Sequence, residues 1–348
     1  MNAAAKLLVV GPSWVGDMVM AQALYRMLVT RRDSLQIDVL APPWSLPLLE
    51  RMPEIARGVK LDVGHGQLQW GVRRKVAASL EAAGYAQAIV LPRSFKSALV
   101  PYLAKIPRRT GFLGELRFGL INDIRPLERK RLDKTVLRFM ALGLESAREA
   151  LPKILLPRLR ADPLARAALI DRLRLDASGP VVAMMPGAEY GPAKQWPVQY
   201  FAAVAARLDA AGVVVWILGS DKERALGERL RKAAPAAHNL CGQTSLPEVV
   251  DLLSVSQVAV SNDSGLMHVA AAVGTHVVAL YGSSSPDFTP PLTAAKSVLY
   301  EHLSCSPCHQ RTCPLDHLRC LHSIGVDQVY AATLTALGSV GEQAATHV

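Results

Sequence analysis

Short apolar runs recur along this chain, each followed by a turn and then by a stretch with apolar residues three and four apart. Lys6–Val10, Ile37–Leu40 and Ala88–Leu91 in the first half read as strands, as do Val181–Met185, Val213–Leu218, Val258–Ser261 and Val277–Leu280 in the second. All are continuous Val/Leu/Ile-rich blocks of strand length. Helical spacing predicts helices over Asp17–Val29, Val72–Ala83, Val198–Ala211, Lys222–Ala233, Leu246–Ser254 and Leu266–Val273. Strands that are apolar without alternation, separated by helices, belong to parallel sheets covered on both faces. Two such blocks flank residues 150–180, where Pro152, Pro157 and Pro163 bracket a connection. The pattern predicts an α/β protein with two Rossmann-like, doubly wound domains facing each other across a cleft. The expected domains are residues 1–165 and 166–326. A last helix near Asp327–Leu337, within residues 327–348, is expected to pack back on the first domain. Residues 283–322, rich in Ser, Pro, Cys and His, read as an irregular excursion.

The length of 348 residues suits two domains, and a hydrophobic fraction of 50% lets both bury a core. No apolar run reaches the ~20 residues that span a bilayer. Met1–Lys6 leads straight into Leu7-Leu8-Val9-Val10 without a leader-like apolar segment, so the expectation is a cytoplasmic protein. Charge is unevenly placed. Residues 1–160 hold 26 Lys/Arg against 13 Asp/Glu, whereas the remainder holds 13 against 16. A basic half attracts nucleic acid, an anionic membrane face or a phosphorylated substrate, or is simply a solvated surface. Aromatics make up only 5% of the chain and no nucleic-acid motif accompanies the charge, so nucleic acid is the poorest of these partners.

Candidate chemistry lies where strands end. Val258–Ser261 runs into Asn262-Asp263-Ser264-Gly265-Leu266-Met267-His268 and a small-residue helix, the geometry in which free N–H groups and a helix dipole meet an anion. Gly11-Pro12-Ser13-Trp14-Val15-Gly16-Asp17 also leaves a strand for a helix, without a G-x-G-x-x-G or P-loop pattern. Asp17 is there either as a helix cap or as a general base. Met185–Pro197 carries one cation, Lys194, which is either a surface lysine or a partner for a departing diphosphate. Asp221 caps the next helix or accepts from a nucleoside; Thr244 or Ser245 caps another. His268 either touches phosphate or sits in the core. No two Asp residues lie two apart, so the usual carboxylate clamp for a metal on a diphosphate is missing. Cys305, Cys308, Cys313 and Cys320, with four histidines among them, suit either zinc or a reduced packed loop, though the spacing is not the paired C-x2-C form.

Together, Gly11–Asp17, Lys194-Gln195-Trp196-Pro197, Ser261–His268 and the Cys305–Cys320 segment resemble the heptosyltransferases of lipopolysaccharide inner-core assembly, a glycosyltransferase family of GT-B type. The Trp14–Asp17 and cysteine forms resemble the branch that acts on an already heptosylated core. The resemblance implies inverting transfer of L-glycero-D-manno-heptose from ADP-heptose onto the first heptose of heptosyl-Kdo2-lipid A. It implies Asp17 as base and Lys194 as a catalytic cation, with Asp221, Thr244, Asp263, Ser264, Gly265, Leu266 and His268 binding the donor. The basic half suggests Arg73, Arg93 and Lys96 for the phosphorylated acceptor at the cytoplasmic face of the inner membrane. No cofactor or metal is called for. Transfer onto Kdo, a nucleotide-sugar epimerase, and a non-catalytic protein binding anionic glycolipid or nucleic acid through its basic half are the competing readings.

Overall fold

The computed structural model describes residues 5–345 except 33 and 65; Met1–Ala4 and the last three residues lie outside the described residues. The chain divides into two units, residues 1–157 and 158–348. The first unit holds β1 (Lys6–Val10), β2 (Gln36–Ala41), β3 (Ile55–Lys60), β4 (Gln87–Val90), β5 (Arg108–Phe112) and β6 (Asp123–Arg125). All pair in parallel, in the order β3-β2-β1-β4-β5-β6. The second unit holds β7 (Val181–Met185), β8 (Val214–Ile217), β9 (His238–Asn239), β10 (Val258–Asn262), β11 (His276–Tyr281) and β12 (Lys296–Tyr300). Its order, β12-β11-β10-β7-β8-β9, is the same doubly wound topology. The winding reverses between β1 and β4 and between β7 and β10, the switch points where open sheets leave a crevice for ligands.

The predicted strands are all present, within a residue or so of their expected ends, because buried parallel strands must be apolar on both faces. Five strands went unread. Four of them, β3, β6, β9 and β12, are the edges of the two sheets. Edge strands are half solvated and carry charge, as in Ile-Ala-Arg-Gly-Val-Lys of β3 and Asp-Ile-Arg of β6. The fifth, β5, opens on Arg108-Arg109. The segment read as irregular therefore contains β12.

A second correction concerns the terminal helix, Val326–Ala345. Its apolar residues Val329 and Ala336 are buried in a core shared with Val182, Phe201, Val258 and Leu280 of the second unit, so its buried face belongs there. The connection after Pro157 also forms a helix, Pro163–Arg172, whose first turn is capped by Asp162 accepting from Leu164 N (3.0 Å) and Ala165 N (3.1 Å).

Trp196 ties this second unit together. It is buried beside the helix Val198–Ala210, edge-on to Phe201 with centroids 4.9 Å apart. Its indole N–H donates to Ile324 O (3.0 Å), just before the terminal helix. Trp196→Ala removes a large buried aromatic and orphans that carbonyl. It is expected to lower unfolding free energy by about 3–5 kcal/mol in a denaturant titration; a loss under about 1 kcal/mol would contradict this packing role.

Candidate active site

The carboxyl end of β10 organises the second unit's loops. Asn262, its last residue, is fully buried; its Oδ1 accepts from Trp196 N (2.9 Å) and its Nδ2 donates to Pro186 O (2.8 Å). One amide side chain thus holds both ends of the loop after β7. Within that loop Gly191 has φ 151°, and a Cβ there would sit 2.6 Å from Arg311 O. Only glycine fits so close a passing chain.

The loop delivers Lys194 to Asp263, with Nζ 2.5 Å from Oδ2. Asp263 is buried, and its own N–H donates to Leu280 O (3.1 Å). The ammonium also lies 5.0 Å from the Tyr190 ring centroid. Beyond Asp263, Ser264 caps the helix Gly265–Val273, its Oγ accepting from Met267 N (3.4 Å) and lying 3.2 Å from Ser261 Oγ. Gly265 and Leu266 form the partly exposed first turn. A lysine held by a carboxylate beside a helix N-terminus is a site for an anion that needs a point charge and backbone N–H donors.

His268 is buried one turn further on. Burial pushes its pKa down to about 4, with Asp263 raising it and Lys194 lowering it. It is neutral near pH 7 and sits among buried residues, so what it offers is a hydrogen-bonding imidazole.

The nucleoside-side expectations separate. Ser220 and Ser245 are the helix caps, each in a reciprocal box with Glu223 or Glu248. Asp221 is exposed and accepts from Arg224. Thr244 keeps a buried Oγ1 with no partner among the described residues. Gly242, at φ 73°, brings the two loops together: a Cβ on it would lie 2.8 Å from the Asp221 Cα.

Several residues were not singled out from the sequence. Ser283 and Ser284, after β11, have buried hydroxyls without hydrogen-bond partners among the described residues. The cysteine-bearing segment carries Arg311, whose exposed guanidinium is 5.2 Å from the Tyr190 ring centroid. That segment is bound to the lysine loop, through Ala193 N to Arg311 O (3.0 Å) and Tyr190 Oη to His309 O (2.8 Å). His309 N in turn donates to Ser283 O (2.7 Å). Its four cysteines are free thiols. Among the described residues no three His, Cys, Asp or Glu side chains are arranged to hold a metal ion.

In the first unit, Asp17 is the third residue of the helix Val15–Arg31, which follows β1; Trp14, not Asp17, occupies the cap position. Arg93 is exposed and Lys96 half-buried, both beyond the carboxyl end of β4. Arg73 corrects the acceptor-side expectation. It is buried, with its guanidinium donating to the carbonyls of Leu68 (2.6 Å), Lys96 (3.0 Å) and Gln67 (3.3 Å), so its charge braces loops.

Two doubly wound parallel sheets, one with a paired lysine beside a helix N-terminus at its topological switch point, define the class of α/β proteins built like nucleotide-binding folds. The chain belongs to glycosyltransferase family 9 (heptosyltransferase), whose model matches residues 73–319. It is 45% identical over 304 residues to lipopolysaccharide heptosyltransferase 2 of Escherichia coli, covering 84% of this chain and 87% of that protein. Lipooligosaccharide heptosyltransferase 2 of Haemophilus influenzae is 41% identical over 84% of this chain and 88% of its own length. The solved structure of the E. coli ADP-heptose lipopolysaccharide heptosyltransferase II superposes with a TM-score of 0.85 at 39% identity, over 96% of this chain and 99% of that one. The chain is accordingly an α/β glycosyltransferase of the two-domain GT-B class expected from its motifs.

The buried neutral His268 carries a pH signature. Its folded pKa of about 4 lies below the ordinary 6.5, so only the unfolded chain takes up its proton between these values. Its contribution is complete above pH 6.5 and is lost as pH falls toward 4. Thermal midpoints should drop over that window, and His268→Gln should flatten the slope. An unchanged slope in the variant would show that other groups govern it.

Proposed function

We propose that this enzyme moves L-glycero-D-manno-heptose from ADP-heptose onto the first heptose of the lipopolysaccharide inner core. The observation that carries the reading is the match, along most of both chains, to proteins called heptosyltransferase 2. The second unit supplies residues suited to the leaving ADP: Lys194 on Asp263, the first turn at Ser264–Leu266, and His268 as a neutral hydrogen-bonding group. Asp221 and Thr244 are assigned to the nucleoside end, supported by the contact between their loops and the orphan Thr244 hydroxyl. Arg311 adds a second cation beside Tyr190 and Lys194.

In this mechanism Asp17 takes the proton from the acceptor hydroxyl as that oxygen bonds to the anomeric carbon. The bond to the diphosphate oxygen breaks on the opposite face, through an oxocarbenium-like state, and the carbon inverts. A weak base suffices, because the hydroxyl acidifies as the bond forms. Negative charge then gathers on ADP, where Lys194 and the helix N–H groups stabilise it more than they stabilise the bound donor. Arg93 and Lys96 are assigned to acceptor phosphates. Among the described residues no helix is long and apolar enough to cross a membrane. We place the reaction at the cytoplasmic face of the inner membrane, where a lipid-anchored acceptor would be met.

Asp17→Asn should leave ADP binding unchanged by calorimetry while transfer, followed by mass spectrometry on heptosyl-Kdo2-lipid A, falls by ~10²–10⁴-fold. Undiminished transfer would remove Asp17 from the mechanism. Lys194→Ala should weaken ADP binding roughly tenfold or more and slow transfer with it; wild-type values for both would make Lys194 a bystander.

A further inference from the structure

Water-facing loops keep their charges outside and their apolar side chains in. The segment Leu113–Phe118, directly after β5, does the reverse. Leu116 is 83% exposed and Phe118 62%, whereas Arg117 between them is fully buried. This inversion is pinned. The Arg117 guanidinium donates to the carbonyls of Phe112 (2.5 Å), Pro92 (2.8 Å) and Ser94 (3.2 Å) and to Ser97 Oγ (3.1 Å). Glu115 clasps the neighbouring segment through Phe95 N to its Oε2 (2.7 Å) and its own N–H to Arg93 O (3.3 Å). Gly114 passes so close that a Cβ would lie 1.9 Å from Arg93 O. Turning Leu116 and Phe118 inward would pull a cation out of its cage of carbonyls.

The two clasped segments also expose Phe95 and Leu113. Four large apolar side chains are thus exposed on two segments that are hydrogen-bonded to each other, and exposed apolar residues concentrated in this way mark an interaction surface. Their surroundings select the partner. Arg93 is exposed on the same segment and Lys96 half-exposed. Arg138 lies near enough that burial first, then the charges of Arg93 and Arg129, lower its pKa. Exposed apolar side chains with cations on the same segments match a surface that is apolar beneath and anionic on top.

We propose that the Leu113–Phe118 loop, with Phe95, seats this chain on an anionic bilayer surface: Leu116 and Phe118 enter the interface, and Arg93 and Lys96, the cations assigned to the acceptor's phosphates, add attraction toward the anionic surface in which that acceptor is anchored. The inference gives the lipid-anchored acceptor of the proposed function its route to the enzyme, and to that extent it rests on that reading.

The test uses the full chain and vesicles of phosphatidylglycerol with phosphatidylethanolamine, against vesicles of phosphatidylcholine alone. Wild-type protein should co-sediment with the anionic vesicles, less so at high salt, and weakly with the neutral ones. Leu116→Ser/Phe118→Ser, checked for an unchanged thermal midpoint, should bind anionic vesicles at least about tenfold more weakly. The same variant should transfer heptose to a de-acylated, water-soluble acceptor at the wild-type rate and to vesicle-embedded acceptor more slowly. Equal vesicle binding by both proteins, or none by the wild type, would overturn the proposal. So would a wild-type dimer that the double variant converts to monomer, since the patch would then cover itself. Absence of transfer by the wild type to either acceptor would defeat the functional reading instead, leaving the vesicle result to judge the surface alone.

Discussion

The second unit's chemistry depends on one buried side chain. Asn262 has no exposure, and both ends of its amide bond main-chain groups at the two ends of the loop carrying Lys194. A buried N–H or C=O left without its partner costs about 1–3 kcal/mol, so the loop cannot leave this position without leaving polar groups stranded. Because the Asn262 staple fixes the loop, Lys194 reaches the residue just after β10, Asp263, and the ion pair forms beside the amino end of the following helix. The positions of the ammonium, the helix amides and the neutral His268 all descend from that constraint.

The pairing of Lys194 with Asp263 has a consequence for how the cation works. A free lysine on a Gly/Pro-rich loop would sample many rotamers. Held by a buried carboxylate, it is already oriented before an anion arrives, so less side-chain freedom is lost on binding. The close passage of Arg311 past Gly191 extends the same economy to the cysteine-bearing segment, which brings a further cation to the Tyr190 ring without lengthening the lysine loop.

The first unit handles its positive charge differently. Arg73, Arg117 and Arg125 are buried, and their guanidiniums donate largely to main-chain carbonyls. Arg125 also pairs with Asp123, whose carboxyl stays below the usual range although burial opposes it, because Arg125, Thr110 and Arg108 donate to it. A guanidinium has five N–H donors in a plane, which makes it an effective brace for loops that expose several carbonyls at once. Part of the basic excess of this half is therefore internal scaffolding at the loops beyond the sheet. The cations left outside, such as Arg93, are the ones that set its external field.

The sequence by itself determined the two doubly wound sheets, since strands buried on both faces can only be written in apolar residues and helices on them need a 3.6-residue apolar period. It also singled out the strand-to-helix turn Asn262–Leu266 and the segments carrying Asp17 and Lys194, because the end of a strand running into a helix is a local object that can be read from adjacent residues. What it left open needed contacts between distant residues. The edge strands escaped because their composition is that of surface, and only pairing with a neighbour defines them. The burial of Arg73 and His268, the return of the terminal helix to its own unit and the meeting of Arg311 with Tyr190 all depend on residues far apart in the chain. Burial and neighbours, which decide whether an arginine braces a loop or a histidine carries charge, are properties of the packed molecule.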